Sequence, residues 1–130
     1  MILGIGTDIV KITRFRKITP AFMTRVFSDG ERVYLYNKDD NSIAASAAGL
    51  FAAKEAVAKA LGTGFSGFWP HDIEVVHETS GKPYVVLHRK AAQIARLLSC
   101  GKRSFFGGYK IHVSISHTDT DAIAFVVIEN

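Results

Sequence analysis

The segment from Ile43 to Leu61 constrains this chain most. Its nineteen residues hold nine alanines, no proline and only three charged side chains, Lys54, Glu55 and Lys59. Alanine has the strongest intrinsic helix propensity. Asn41 or Ser42 precedes the run as a cap, and Gly62 follows where helices favour a left-handed glycine. The pattern predicts one long helix that is apolar on most sides and largely buried. Its most apolar part, Ile43 to Ala53, has 11 residues, whereas a membrane span needs about 20. An interior helix is expected, with no membrane association.

The remaining elements read as parts that bury it. Ile2 to Val10 reads as a strand in which Gly4 and Gly6 imply close approach of another backbone. Phe15, Ile18, Phe22 and Val26 have helical spacing that Pro20 splits into two short helices. A further short helix runs from Asp29 through Asn37, capped by Ser28 or Asp29. Ile73 to Glu78 and Tyr84 to His88 form a hairpin through Thr79–Pro83. A helix from Ala91 to Leu98 stops at Gly101, and Gly101 to Gly108 reads as a loop. Ile111 to Ser116 and Ala122 to Ile128 are strands joined by the turn Thr118–Asp121, and therefore antiparallel. Helices and hairpins are segregated, so the expected class is α+β. The expected architecture is one domain over residues 1–130, with an antiparallel sheet packed on the long helix and short helices around it.

Composition narrows the partners. Of 130 residues, 48% are hydrophobic and 22% charged, which excludes a disordered chain. The net charge of +4 permits an acidic partner without choosing one. A mean hydropathy of +0.14 is high for a small soluble monomer and hints at a subunit interface. The single Cys100 excludes an intrachain disulfide and fits a reducing compartment. With no targeting pattern in view, the cytoplasm is the expected location.

Three features carry possible chemistry. Gly4-Ile5-Gly6-Thr7-Asp8-Ile9 starts like a dinucleotide fingerprint, but Ile9 replaces the third glycine and no strong helix starts after Gly6. Asp8 is an acid among apolar strand residues, either capping the next turn or ligating a metal. Glu55 and Lys59, four apart, share a helix face. They are either a surface ion pair or, with Asp8, a site in which two carboxylates hold Mg²⁺ and Lys59 holds phosphate. Gly62-Thr63-Gly64 is either a helix stop or a loop whose amides cradle phosphate. No two of the five histidines have zinc spacing. His117, beside a turn, is open to ligands or simply exposed. Ser114 and Ser116 lack the nucleophile-elbow motif, which argues against a hydrolase. Arg14, Arg16, Lys17 and Arg25, interleaved with Phe22 and Met23, form a candidate docking surface for an acidic protein or an ordinary solvated face. Nucleic acid ranks below a protein partner, because no recognition motif is present.

Taken together, these segments resemble the holo-acyl-carrier-protein synthase family of phosphopantetheinyl transferases. The resemblance rests on Gly4–Val10, on Phe51-Ala52-Ala53-Lys54-Glu55-Ala56-Val57-Ala58-Lys59 continuing through Gly64, on Gly81-Lys82-Pro83, and on His112–His117. It implies transfer of 4'-phosphopantetheine from coenzyme A to a serine of apo-acyl carrier protein, releasing 3',5'-ADP in support of fatty acid biosynthesis. The alternative is a module that binds coenzyme A or a phosphate ligand without turnover. The resemblance implies Mg²⁺ at Asp8 and Glu55, with Asp8, Glu55 and Lys59 catalytic. Coenzyme A is expected at Lys54, Lys59, Gly62, Thr63, Gly64, Pro83 and His117. It implies homotrimers with sites between subunits, and a carrier protein that is acidic along the helix after its modified serine. That helix would meet Arg14, Arg16, Lys17 and Arg25, with Phe22 or Met23 filling an apolar gap. Two departures are visible: Leu50 stands where the family often has Arg, and the stretch Cys100 to Gly108 is long.

Overall fold

The computed structural model describes residues 1–100 and 108–130. Strand β1 (Ile2–Lys11) leads through a 3-10 turn (Ile12–Phe15) to helices α1 (Pro20–Val26), α2 (Asp29–Tyr36) and α3 (Ile43–Leu61). A second 3-10 turn (Pro70–Asp72) opens the hairpin β2 (Ile73–His77) and β3 (Pro83–Leu87). Helix α4 (Arg89–Cys100) and strands β4 (Lys110–His117) and β5 (Asp121–Glu129) complete the chain. The order β1-β5-β4 makes a three-stranded antiparallel sheet, and β2 and β3 pair separately. The α+β reading holds. The expected stop at Gly101 and the loop before Gly108 lie outside the described residues.

Helix α3 is the spine. Thirteen of its residues are buried, including eight alanines, Leu50 and Val57. It packs across one face of the sheet, and the contact closes without side chains between the backbones. A Cβ on Gly4 would stand 1.9 Å from the Ala60 carbonyl oxygen, and one on Gly6 would stand 1.9 Å from that of Ala56. Only glycine on β1 and alanine on α3 allow this separation. The strand register puts Gly4, Gly6, Asp8 and Val10 on the helix-facing side, opposite Ile128, Val126, Ala124 and Ala122 of β5. Asp8 is thereby turned toward the helix.

The short elements are tied to the spine by a buried polar network. Ser28 caps α2 in a reciprocal box with Glu31. Glu31 Oε1 also accepts from Lys54 Nζ at 2.7 Å, and Oε2 from the Val75 amide at 2.9 Å. Lys54 donates further to the Pro70 and Ile73 carbonyls. Each polar atom is satisfied, which is the condition for burying an ion pair.

The spacing of β1 against α3 makes a direct prediction. Gly6→Ala forces backbone movement and should lower unfolding free energy by about 3 kcal/mol, at the top of the usual overpacking range. Gly62→Ala, at φ 81 with nothing within 4 Å, should cost about 1 kcal/mol. Urea unfolding measures both. A Gly6→Ala protein as stable as wild type contradicts the backbone contact.

Candidate active site

Where β1 crosses α3, three charged side chains meet. Ala56 and Ala60 face the strand glycines, which leaves Glu55 and Lys59 at the edge of the same contact. Lys59 Nζ donates to Asp8 Oδ1 at 3.0 Å and to the Thr7 carbonyl at 2.9 Å. The Asp8 side chain is 17% exposed and that of Lys59 53%. The sequence offered a Glu55–Lys59 ion pair along the helix. The structure sends the lysine across to the strand instead, although its charge still reaches Glu55.

Glu55 is half-buried and accepts no hydrogen bond among the described residues. Burial pushes its carboxyl pKa up, the neighbouring Asp8 charge adds to this, and Lys59 and Arg14 offset part of it. Two adjacent carboxylates, one without a donor, form an anionic pair that a cation would relieve. No cluster of three or more metal-ligating side chains occurs among the described residues. Two carboxylates are nevertheless within the ordinary protein share for Mg²⁺, whose other ligands are waters and substrate phosphates. The donor set fits that ion. Beside it, Gly62 ends α3 in the left-handed conformation, and Gly62, Thr63 and Gly64 are exposed.

Other candidates fall elsewhere. Lys54, expected among the coenzyme A contacts, needs correction. Its side chain has no exposure and its ammonium is consumed by Glu31 and two carbonyls. Burial pushes its pKa down and Glu31 offsets part of that. Lys54 is thus a structural anchor, facing away from its neighbour Glu55. Met23, expected to fill a partner's gap, is also corrected: it is 4% exposed and part of the core. Phe22 is half-buried against Phe15 and Phe27. Leu50 is a core residue, so this position supplies packing rather than charge. Pro83 starts β3 opposite His77, and no described hydrogen bond or ion pair ties it to Asp8, Glu55 or Lys59.

His117 ends β4 and lines a pocket of about 500 Å³ with Arg16, Asn41 and Asp119, against Ala44 and Ala45 at the start of α3. Arg14, Arg16, Lys17 and Arg25 are exposed. Arg14 does more than the sequence revealed. Its guanidinium lies 5.5 Å from the centre of the Phe51 ring, and its charge acts on Glu55. Phe51 stands four positions before Glu55, so the helical repeat alone pointed to a neighbour there.

Comparison with known proteins shows the family. Residues 4–114 match the family model described as the 4'-phosphopantetheinyl transferase superfamily. Holo-[acyl-carrier-protein] synthases of Clostridium kluyveri and Clostridium botulinum strain Alaska E43 are 45% and 46% identical over 99% of this chain, covering 91% and 98% of their own lengths. The crystal structure of a Bacillus anthracis holo-(acyl-carrier-protein) synthase in complex with CoA (3',5'-ADP) superposes with a TM-score of 0.78 at 33% identity, over 98% of this chain and 96% of that one. The Neisseria meningitidis holo-[acyl-carrier-protein] synthase gives 0.75 at 34% identity, with both chains covered fully. The chain belongs to the holo-acyl-carrier-protein synthase family of the 4'-phosphopantetheinyl transferase superfamily.

The raised Glu55 carboxyl has a measurable sign. The folded protein holds this proton to higher pH than the unfolded chain does. Its contribution to stability is therefore lost as pH rises from the ordinary value of 4.5 through the folded pKa. Glu55→Gln does not titrate. In chelator, it should be more stable than wild type at pH 7, and the difference should shrink below pH 4.5. Denaturant titrations at both pH values check this. A gain that is equal at both contradicts the strained carboxylate.

Proposed function

We propose that this protein is a holo-acyl-carrier-protein synthase. It transfers 4'-phosphopantetheine from coenzyme A to a serine hydroxyl of apo-acyl carrier protein and releases 3',5'-ADP. The holo-carrier then supports fatty acid biosynthesis. One observation supports the reading above others: Asp8, Glu55 and Lys59 converge beside the exposed Gly62–Gly64 turn, on a scaffold shared with synthases solved with coenzyme A.

Asp8 and Glu55 would hold Mg²⁺, which supplies charge neutralisation to the coenzyme A pyrophosphate. Lys59, half-exposed, adds positive charge toward the departing phosphate oxygens. The carrier serine oxygen bonds to the phosphorus bearing the pantetheine as the bond to the 3',5'-ADP oxygen breaks. Glu55, or a water held by Asp8, takes the serine proton, and a carboxyl pKa raised by burial suits that task. Gly62, Thr63 and Gly64 line the phosphate side. The basic run at Arg14, Arg16, Lys17 and Arg25 faces the acidic carrier.

His117 argues for sites shared between subunits. It lines a pocket with Ala44, which precedes Glu55 by about 16 Å along α3 at 1.5 Å per residue. A phosphate held by His117 and a pyrophosphate at Glu55 are more easily joined in one coenzyme A if a neighbouring protomer supplies the histidine. The outer face of the sheet is suited to such packing. Ile5, Ile9, Ile123 and Phe125 lie side by side there and are 61%, 66%, 44% and 49% exposed. A homotrimer closed on this face is the proposed assembly. No described helix is long and apolar enough to cross a membrane, consistent with the proposed cytoplasmic location.

The test is a carrier mass shift. Protein, coenzyme A, Mg²⁺ and an apo-carrier should yield a carrier heavier by one phosphopantetheine. Asp8→Ala should lower the rate at least a hundredfold while retaining the fold. Lys59→Ala should raise the coenzyme A KM. No shift with several bacterial apo-carriers would leave a binding module and overturn the enzyme.

A further inference from the structure

On the side of α1 away from the core, Pro20, Ala21, Thr24 and Arg25 form an open groove of about 550 Å³ with Trp69 and His71. Three observations set it apart. Trp69 is 58% exposed, although it is the chain's only tryptophan and its largest apolar side chain. It is also held in place: its ring is parallel to that of His71 within 5°, with centroids 6.3 Å apart. The His71 Nδ1 in turn hydrogen-bonds the Arg25 carbonyl at 3.0 Å, so both walls move together. A pre-positioned, exposed indole is a typical anchor of a protein contact.

The charge pattern selects the partner. From Lys11 to Phe27 the chain carries five cations and no acid. Arg25 makes no ion pair among the described residues, whereas Asp29 and Asp72 are engaged by Arg32 and Arg89. This basic run includes Arg14, whose charge acts on Glu55, and ends at Arg25 in the groove. An acidic amphipathic helix that meets Arg14 at the reaction site has, at the end of this basic run, a second cation and an apolar anchor to engage.

We propose that the Trp69–His71–Arg25 groove is a carrier-selecting contact. In it the acidic carrier protein seats an apolar side chain on Trp69 and a carboxylate on Arg25, remote from the reacting atoms. This rests on the carrier-modifying function proposed above. It assigns part of the choice among carriers to the segment after α3 rather than to the basic residues alone.

The lone tryptophan reports on its own role. Titrating a tryptophan-free apo-carrier into the protein should blue-shift the emission and protect it from iodide, with a midpoint near the kinetic KM for that carrier. Trp69→Ala should raise the carrier KM about tenfold, a common cost for removing an interface anchor, and move the coenzyme A KM less than twofold. Unchanged emission and quenching while the carrier gains mass would overturn the groove and leave the enzyme intact. Emission that shifts with protein concentration alone would also overturn it, identifying the groove as a contact between copies of this chain. Absence of any mass shift with wild type would instead remove the function on which the groove depends.

Discussion

The structure depends on one contact: the backbone of β1 lies directly on the backbone of α3. Gly4 and Gly6 remove the side chains that would separate them, and Ala56 and Ala60 do the same from the helix. Close packing of this kind tolerates almost no change in separation. It fixes how far Asp8, two residues beyond Gly6, stands from Glu55 and Lys59 on the neighbouring helix positions. The charged groups are therefore positioned by residues with no chemistry of their own.

A second constraint holds the other side of the helix. Lys54 and Glu55 are consecutive yet meet opposite environments. Lys54 is buried, ion-paired and hydrogen-bonded to the hairpin side, while Glu55, at the sheet edge, has no donor among the described residues. The Glu31–Lys54 network sets the rotation of α3 about its axis, and the glycines set its distance from β1. Between them they hold a carboxylate where burial and a like charge disfavour its ionisation, the kind of strain that clusters at functional sites.

Much of this was legible in the sequence because its signals are local. The alanine run with Gly62 marked α3, Ser28 or Asp29 marked a helix start, and the glycine pair announced a close approach without naming the partner. What stayed hidden was pairwise. Spacing placed Glu55 and Lys59 on one face but could not show Lys59 bonded across to Asp8. Lys54 belonged to the same charged cluster, and nothing local distinguished a buried cation from a ligand contact, since its partner Glu31 is 23 residues away. Met23 was misplaced because Phe22 and Met23 are adjacent apolar residues, and spacing alone did not tell which of them enters the core. Trp69 was passed over because an isolated aromatic in a loop has no periodicity to betray it.

The central claim of the proposed function is that the β1–α3 contact forms part of a coenzyme A site and a neighbouring protomer supplies the part around His117. Co-expression of Glu55→Ala and His117→Ala chains under two different tags, with purification on both, gives mixed assemblies. Each variant alone should be strongly depressed in carrier modification. If sites are shared between neighbours of a trimer, every mixed assembly restores both residues at about one site in three, and activity returns to that level. Mixed assemblies no more active than the two variants assayed separately would show that each chain carries a whole site, and would contradict the shared arrangement.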